Sequence, residues 1–170
     1  MKKIAIAMLL SAVVAAPSVA ADMYVGVNVG SAKIDASNLD STTSFALLGG
    51  YTFNEYFAAE IGYTDFGSKD YQDPAGPFSV KSSAWNISGV GSYPFNEQFS
   101  VFAKLGIASA TTDTSGSSTS KSDLTYGIGG QFNVNKQVGI RLGYDVYKVA
   151  DPTSSTFNEN VASIGGIFKF

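Results

Sequence analysis

Glu60, Lys104 and Arg141 are charges set inside apolar runs, each with an apolar residue on both sides (Ala59 and Ile61, Ala103 and Leu105, Ile140 and Leu142). Gln131, Asp145 and Lys169 sit in similar settings. Such groups can pair with one another, hold or move a proton, or line an ion path. They can do little else here, because the chain contains no Cys and no His. That excludes a Ser-His-Asp triad, a Cys-His pair, a thiolate nucleophile and any Cys or His metal ligand. No catalytic residue, metal site or cofactor is expected. A net charge of −3 also argues against nucleic acid as a partner.

The elements that carry these groups are strands. Met23, Val25, Val27 and Val29 are apolar, and their interleaved neighbours Tyr24, Gly26, Asn28 and Gly30 are mostly small or polar. The same period of two runs through 45–53, 57–63, 85–93, 99–107, 124–132, 138–146 and 162–170. The apolar face of these eight segments holds 38 positions and no charge. The other face carries the six polar groups above among Gly, Ser, Ala and Asn. A soluble sandwich would put Lys and Glu on its outer face. Small polar residues suit a narrow barrel interior instead, and an uncharged apolar face suits lipid. The predicted fold is all-β: an eight-stranded, antiparallel, up-and-down transmembrane barrel.

The connections alternate in length. Asn54-Glu55, Pro94 to Gln98 and Asn133 to Gln137 are short, and Phe53-Asn54-Glu55, Phe95-Asn96-Glu97 and Phe132-Asn133-Val134-Asn135 resemble one another. Asp35–Thr43, Gly67–Ser83, Thr111–Ser122 and Ala150–Glu159 are long and polar. Three short periplasmic turns and four longer outer loops is the outer-membrane arrangement. Counted with their edges, the long connections hold nine acids, Glu159 among them, against five lysines. Aromatic residues gather near the run ends, Phe53, Phe57, Tyr93, Phe99 and Phe132 on one side, Phe45, Tyr63, Trp85, Tyr126 and Tyr144 on the other. Two such girdles are expected where strands cross two membrane interfaces.

Residues 1–20 read as a cleaved secretory signal: Lys2-Lys3, a short apolar run, and Ser18-Val19-Ala20 as the small-x-small site. The run is too short to span a bilayer as a helix. The mature domain is then 21–170, with 9 Lys+Arg against 14 Asp+Glu. Residues 163–170 carry a second signal. Polar Ser163, Gly165, Phe168 and Phe170 fit the pattern polar, x, Gly, x, x, aromatic, x, aromatic. This resembles the C-terminal strand by which outer-membrane barrels are recognised by the barrel-assembly machinery, through strand pairing.

Gly49-Gly50-Tyr51-Thr52-Phe53-Asn54-Glu55-Tyr56, followed by Glu60-Ile61-Gly62-Tyr63, resembles the OmpA transmembrane domain. So do Tyr24-Val25-Gly26, Lys104-Leu105-Gly106 and Arg141-Leu142 with Tyr144. The pattern is shared by OmpX/Ail-like and other small barrels. The resemblance spans residues 21–170 and implies an outer-membrane barrel of a Gram-negative bacterium. It also implies an interior charge cluster, with Glu60 and Arg141 as members, Lys104 as a neighbouring base, and Gln131 where the family has Glu. Asn28 and Val90 stand where the family has Lys, so partner switching of the family kind is not carried over.

A barrel of this size has room for its own side chains and little else. Glu60, Lys104, Gln131 and Arg141 are therefore expected to plug the lumen, with Glu60 touching Arg141 or Lys104, while Asp145 and Lys169 lie at opposite ends and do not pair. The expected role is envelope integrity or surface interaction of an adhesin-like kind, and the alternative is a narrow pore for ions or small solutes. An enzyme is not expected, since the familiar barrel enzymes of this membrane use His. The expected partners are outer-membrane lipids and lipopolysaccharide, the assembly machinery, and a surface ligand the sequence does not name.

Overall fold

The computed structural model describes residues 22–34, 41–73, 76–114, 117–150 and 156–170. The expected signal segment at 1–20 and the acids Asp35, Asp40 and Asp151 lie outside the described residues. Eight strands follow in chain order: β1 (Met23–Ile34), β2 (Thr42–Thr52), β3 (Phe57–Asp73), β4 (Gly76–Pro94), β5 (Phe99–Thr114), β6 (Ser117–Asn133), β7 (Val138–Ala150) and β8 (Thr156–Lys169). Each pairs antiparallel with the next, and β1 pairs with β8, so the sheet closes into a barrel. Closure leaves no open edge, which a bilayer requires because it offers backbone groups no water.

The period of two places the apolar residues outside. Ile87, Leu105, Ile107, Ile128 and Leu142 are exposed on the wall, and Glu60, Gln131 and Arg141 are buried. Val146 departs from this pattern. It belongs to the apolar set of β7 yet is buried, in register with Tyr126 and Asn160 of the two flanking strands.

The three short turns share one device. Asn54 Oδ1 accepts the backbone N–H groups of Tyr56 and Phe57. Asn96 does the same for Gln98 and Phe99, and Asn135 for Gln137 and Val138. An Asx side chain that satisfies two turn donors explains why Asn recurs there. In the third turn the cap is Asn135, the second Asn of Phe132-Asn133-Val134-Asn135, while Asn133 ends β6 and accepts from Lys169 at the lumen mouth. Beside the first cap, the Glu55 carboxylate raises the Tyr56 phenol above its ordinary pKa.

The outer connections are longer, as expected, but two of them are largely paired strand. β3 and β4 continue to Asp73 and Gly76, and β5 and β6 to Thr114 and Ser117, so both hairpins extend beyond the runs of lipid-facing residues. The sequence there is polar at successive positions and lacks the apolar alternation that marks a strand. Glu159, counted among the outer acids, is buried on the inner face of β8. Where β3 leaves the membrane run, its pairing with β4 shifts between Asp65 and Ser68. Gly67 sits in that bulge with φ of 82°, and its N–H donates to Asp65 Oδ1 at 2.8 Å. A positive φ of this size suits Gly and strains other residues.

Candidate functional site

The lumen is filled in layers. Toward the short turns, Glu60 from β3 is ion-paired with Arg141 from β7. Tyr24 Oη donates to Glu60 Oε1 at 2.6 Å, and Arg141 Nη2 donates to Gln131 Oε1 at 3.1 Å. The guanidinium lies 4.6 Å from the Phe102 ring centroid and 5.5 Å from that of Tyr24. Glu60 and Arg141 are 3% and 6% exposed, so both charges are desolvated and each depends on the other. Below them Gln131 Nε2 and Lys169 Nζ both donate to Asn133 Oδ1, at 2.9 and 3.0 Å. Above them Lys104 Nζ meets Asp145 Oδ1 at 2.7 Å.

Glu60 thus meets Arg141, and Lys104 takes a different partner. Gln131 joins the arrangement as an acceptor for Arg141. Asp145 and Lys169 remain apart, as expected, but Asp145 is not alone. The Lys104–Asp145 pair had a signal in the sequence. Lys104 of β5 is in register with Gly127 of β6, which is in register with Asp145 of β7. With no side chain between them, two residues from non-adjacent strands meet over the glycine. Tyr24, Gly50 and Glu60 repeat the pattern on β1, β2 and β3. A Cβ on Gly127 would overlap the Asp145 carboxylate, and one on Gly50 would overlap the Tyr24 ring.

Outward glycines behave differently. A Cβ on Gly91 would meet nothing within 4 Å. Gly50→Ala is therefore expected to cost about 1–3 kcal/mol by overpacking. Gly91→Ala is expected to fall within about 0.5 kcal/mol of the parent. Urea unfolding of the two variants side by side checks this, and equal losses would mean that the glycines serve no inner contact.

A cavity of about 30 Å³ lies between the charge layers and the outer end, lined by Asn28, Ser44, Asn86, Lys104, Asp145 and Ser163 among others. That is room for about one water. The described residues include no cluster of three or more acids that could hold a metal ion. The arrangement can neutralise buried charge and hold a little water. It presents no activated nucleophile.

Residues 4–170 match the family described as outer membrane protein beta-barrel domain. No curated protein sequence matches the chain. Among solved structures, it is similar to Ail, the attachment invasion locus protein of Yersinia pestis, in complex with the heparin analogue sucrose octasulfate. That likeness has 19% identity and a TM-score of 0.62 over 88% of this chain and 97% of that one. Neisserial surface protein A gives 22% identity and a TM-score of 0.64 over 87% and 97%. OprG from Pseudomonas aeruginosa gives 16% and 0.60 over 89% and 97%. At these identities the likenesses concern the fold.

Proposed function

The chain belongs to the family of small outer-membrane β-barrels and resides in the outer membrane of a Gram-negative bacterium, and from that premise we propose that it is a plugged structural barrel serving envelope integrity or surface interaction. One observation carries this reading. Glu60, Arg141, Gln131 and Tyr24 form a single bonded layer across the lumen, packed against Phe102. An ion entering it would have to break a buried pair whose groups already satisfy one another. Lys104 extends the charge layer outward through Asp145.

The outer hairpins are the part free to meet a partner. Ail is seen with a sulfated heparin analogue. This chain's outer segments suit a different ligand. With Glu159 inside the barrel, eight acids and five lysines remain there, so a sulfated polyanion meets repulsion. A neutral or basic surface ligand fits the charge better, and the acids also suit lipopolysaccharide bridged by divalent cations. Ser163, Gly165, Phe168 and Phe170 serve as the assembly signal in this reading. They lie on or beside β8, which closes the barrel on β1, and the Phe168 and Phe170 rings meet edge to face at 5.4 Å.

The test is conductance of the refolded barrel in a planar bilayer, with Glu60→Gln alongside. Silence, or rare small openings indifferent to the substitution, is expected. Steady conductance that changes with Glu60→Gln would replace this reading with that of a narrow pore.

A further inference from the structure

The charge layer is not the only crowded part of the lumen. Among the described residues, the buried apolar cluster of the molecule lies at the opposite, outer end: Phe66, Tyr147, Val161 and the alanines at 32, 84, 108 and 110. All seven project from the lumen-facing positions of six strands. The Phe66 and Tyr147 rings meet edge to face, with centroids 5.2 Å apart and planes at 75°. Tyr147 Oη is 3.3 Å from Thr64 Oγ1, which fixes the ring across the lumen. Tyr147 and Val161 also line the 30 Å³ cavity, so the collar borders it on its outer side.

We propose that the Phe66–Tyr147 contact is an outer seal, held shut by the β3 bulge and independent of the Glu60–Arg141 layer. An apolar constriction this crowded offers a hydrated ion or polar solute no replacement for its water. The bulge supplies the positioning. Phe66 and Gly67 are the two residues inside the shift between Asp65 and Ser68, and a bulge re-aims the side chains it contains. A Cβ on Gly67 would fall 2.6 Å from Thr42 Cγ2 and 2.8 Å from the Thr43 carbonyl oxygen, so only glycine lets β3 lie against β2 in this shape. The seal encloses a polar chamber between two barriers of different chemistry. Loss of either one leaves the other in place, which gives a reason for a silent barrel to tolerate change in its charge layer.

The seal is tested without any need for conduction, because the chain has no Cys. Ser44 is buried and lines the chamber, and Ser44→Cys is close to isosteric. The refolded Ser44→Cys barrel in detergent is exposed to a small water-soluble methanethiosulfonate reagent, and modification is followed by mass. Folding is verified by the shift in gel mobility on heating. With Phe66→Ala added, modification is expected to accelerate by more than about tenfold, since access is governed by local opening. Gly67→Ala is expected to accelerate it in the same direction by misplacing Phe66, and Tyr147→Phe, which keeps the ring, is expected to leave it slow. Phe66→Val covers the case in which Phe66→Ala refolds poorly, with an intermediate rate expected. Equal rates in the folded parent and in Phe66→Ala or Phe66→Val would overturn the proposal. Acceleration by Glu60→Gln alone to the level of Phe66→Ala would do the same, because the inner layer would then be the barrier that matters.

Discussion

Arg141→Met is expected to lower the stability of the barrel by about 3–5 kcal/mol, the cost of leaving a buried charge without its partner. Glu60 would keep the Tyr24 hydroxyl and lose the cation that offsets its desolvation. Glu60→Gln should cost less, since Arg141 retains Gln131 Oε1 and two ring faces, and the amide can still accept from Tyr24. The double variant Glu60→Met with Arg141→Met should be more stable than Arg141→Met alone, because two apolar side chains can replace a buried pair at little net cost. With Glu60→Met alone as the fourth member, the cycle gives the coupling between the two sites directly. Urea unfolding in lipid vesicles measures all of it. Trp85 is the single Trp and lies on the lipid face against Tyr63, so its fluorescence reports loss of the membrane environment. An Arg141→Met barrel as stable as the parent would show that the pair is dispensable and that water reaches Glu60.

Leu142→Arg is the second large effect. Leu142 is 56% exposed on the outer wall, in register with Gly130 and Ile164 and midway along the lipid-facing part of β7. An Arg there is expected to cost about 2–4 kcal/mol at the bilayer midplane. Val138→Arg, at the first residue of the same strand and beside the short turns, is expected to cost only about 0–1 kcal/mol. The gradient between the two is the prediction. A negligible loss at Leu142 would mean that this face does not meet hydrocarbon.

Much of this was legible in the sequence, for a physical reason. A strand that has lipid on one side and a narrow lumen on the other cannot exchange the two faces without burying charge in hydrocarbon. Lys104 between Ala103 and Leu105, or Arg141 between Ile140 and Leu142, therefore fixes the register of its strand. What crosses the lumen was less legible. Which inward groups meet depends on the stagger of strands that are not neighbours, and one sequence does not display stagger. The sequence therefore offers Lys104 only as an alternative partner for Glu60, and its meeting with Asp145 over Gly127 shows only once the strands are in register. The outer hairpins were hidden differently. Their polar residues on both faces give no alternation, so β3 and β4 read as loop where they continue as ladder. Val146 shows the limit of alternation itself: it gives the side of the sheet a residue occupies, and the neighbours decide whether that side is covered.

The pairing of β1 with β8 differs in kind from the other seven. Those join strands adjacent in the chain and can zip up from a turn, three of them from an Asn-capped turn. Partners across the β1–β8 contact are 125 to 145 positions apart. Closing a loop of that length costs about 4 kcal/mol of chain entropy, and nothing repays it until many rungs form together. The ring should therefore complete last, after a curved seven-hairpin sheet already exists. Until then the chain presents two long unpaired edges, and one of them is β8, which carries Phe168 and runs into Phe170. The time spent in that open state, more than the strength of the finished wall, sets how long those edges are available to pair with the wrong chain.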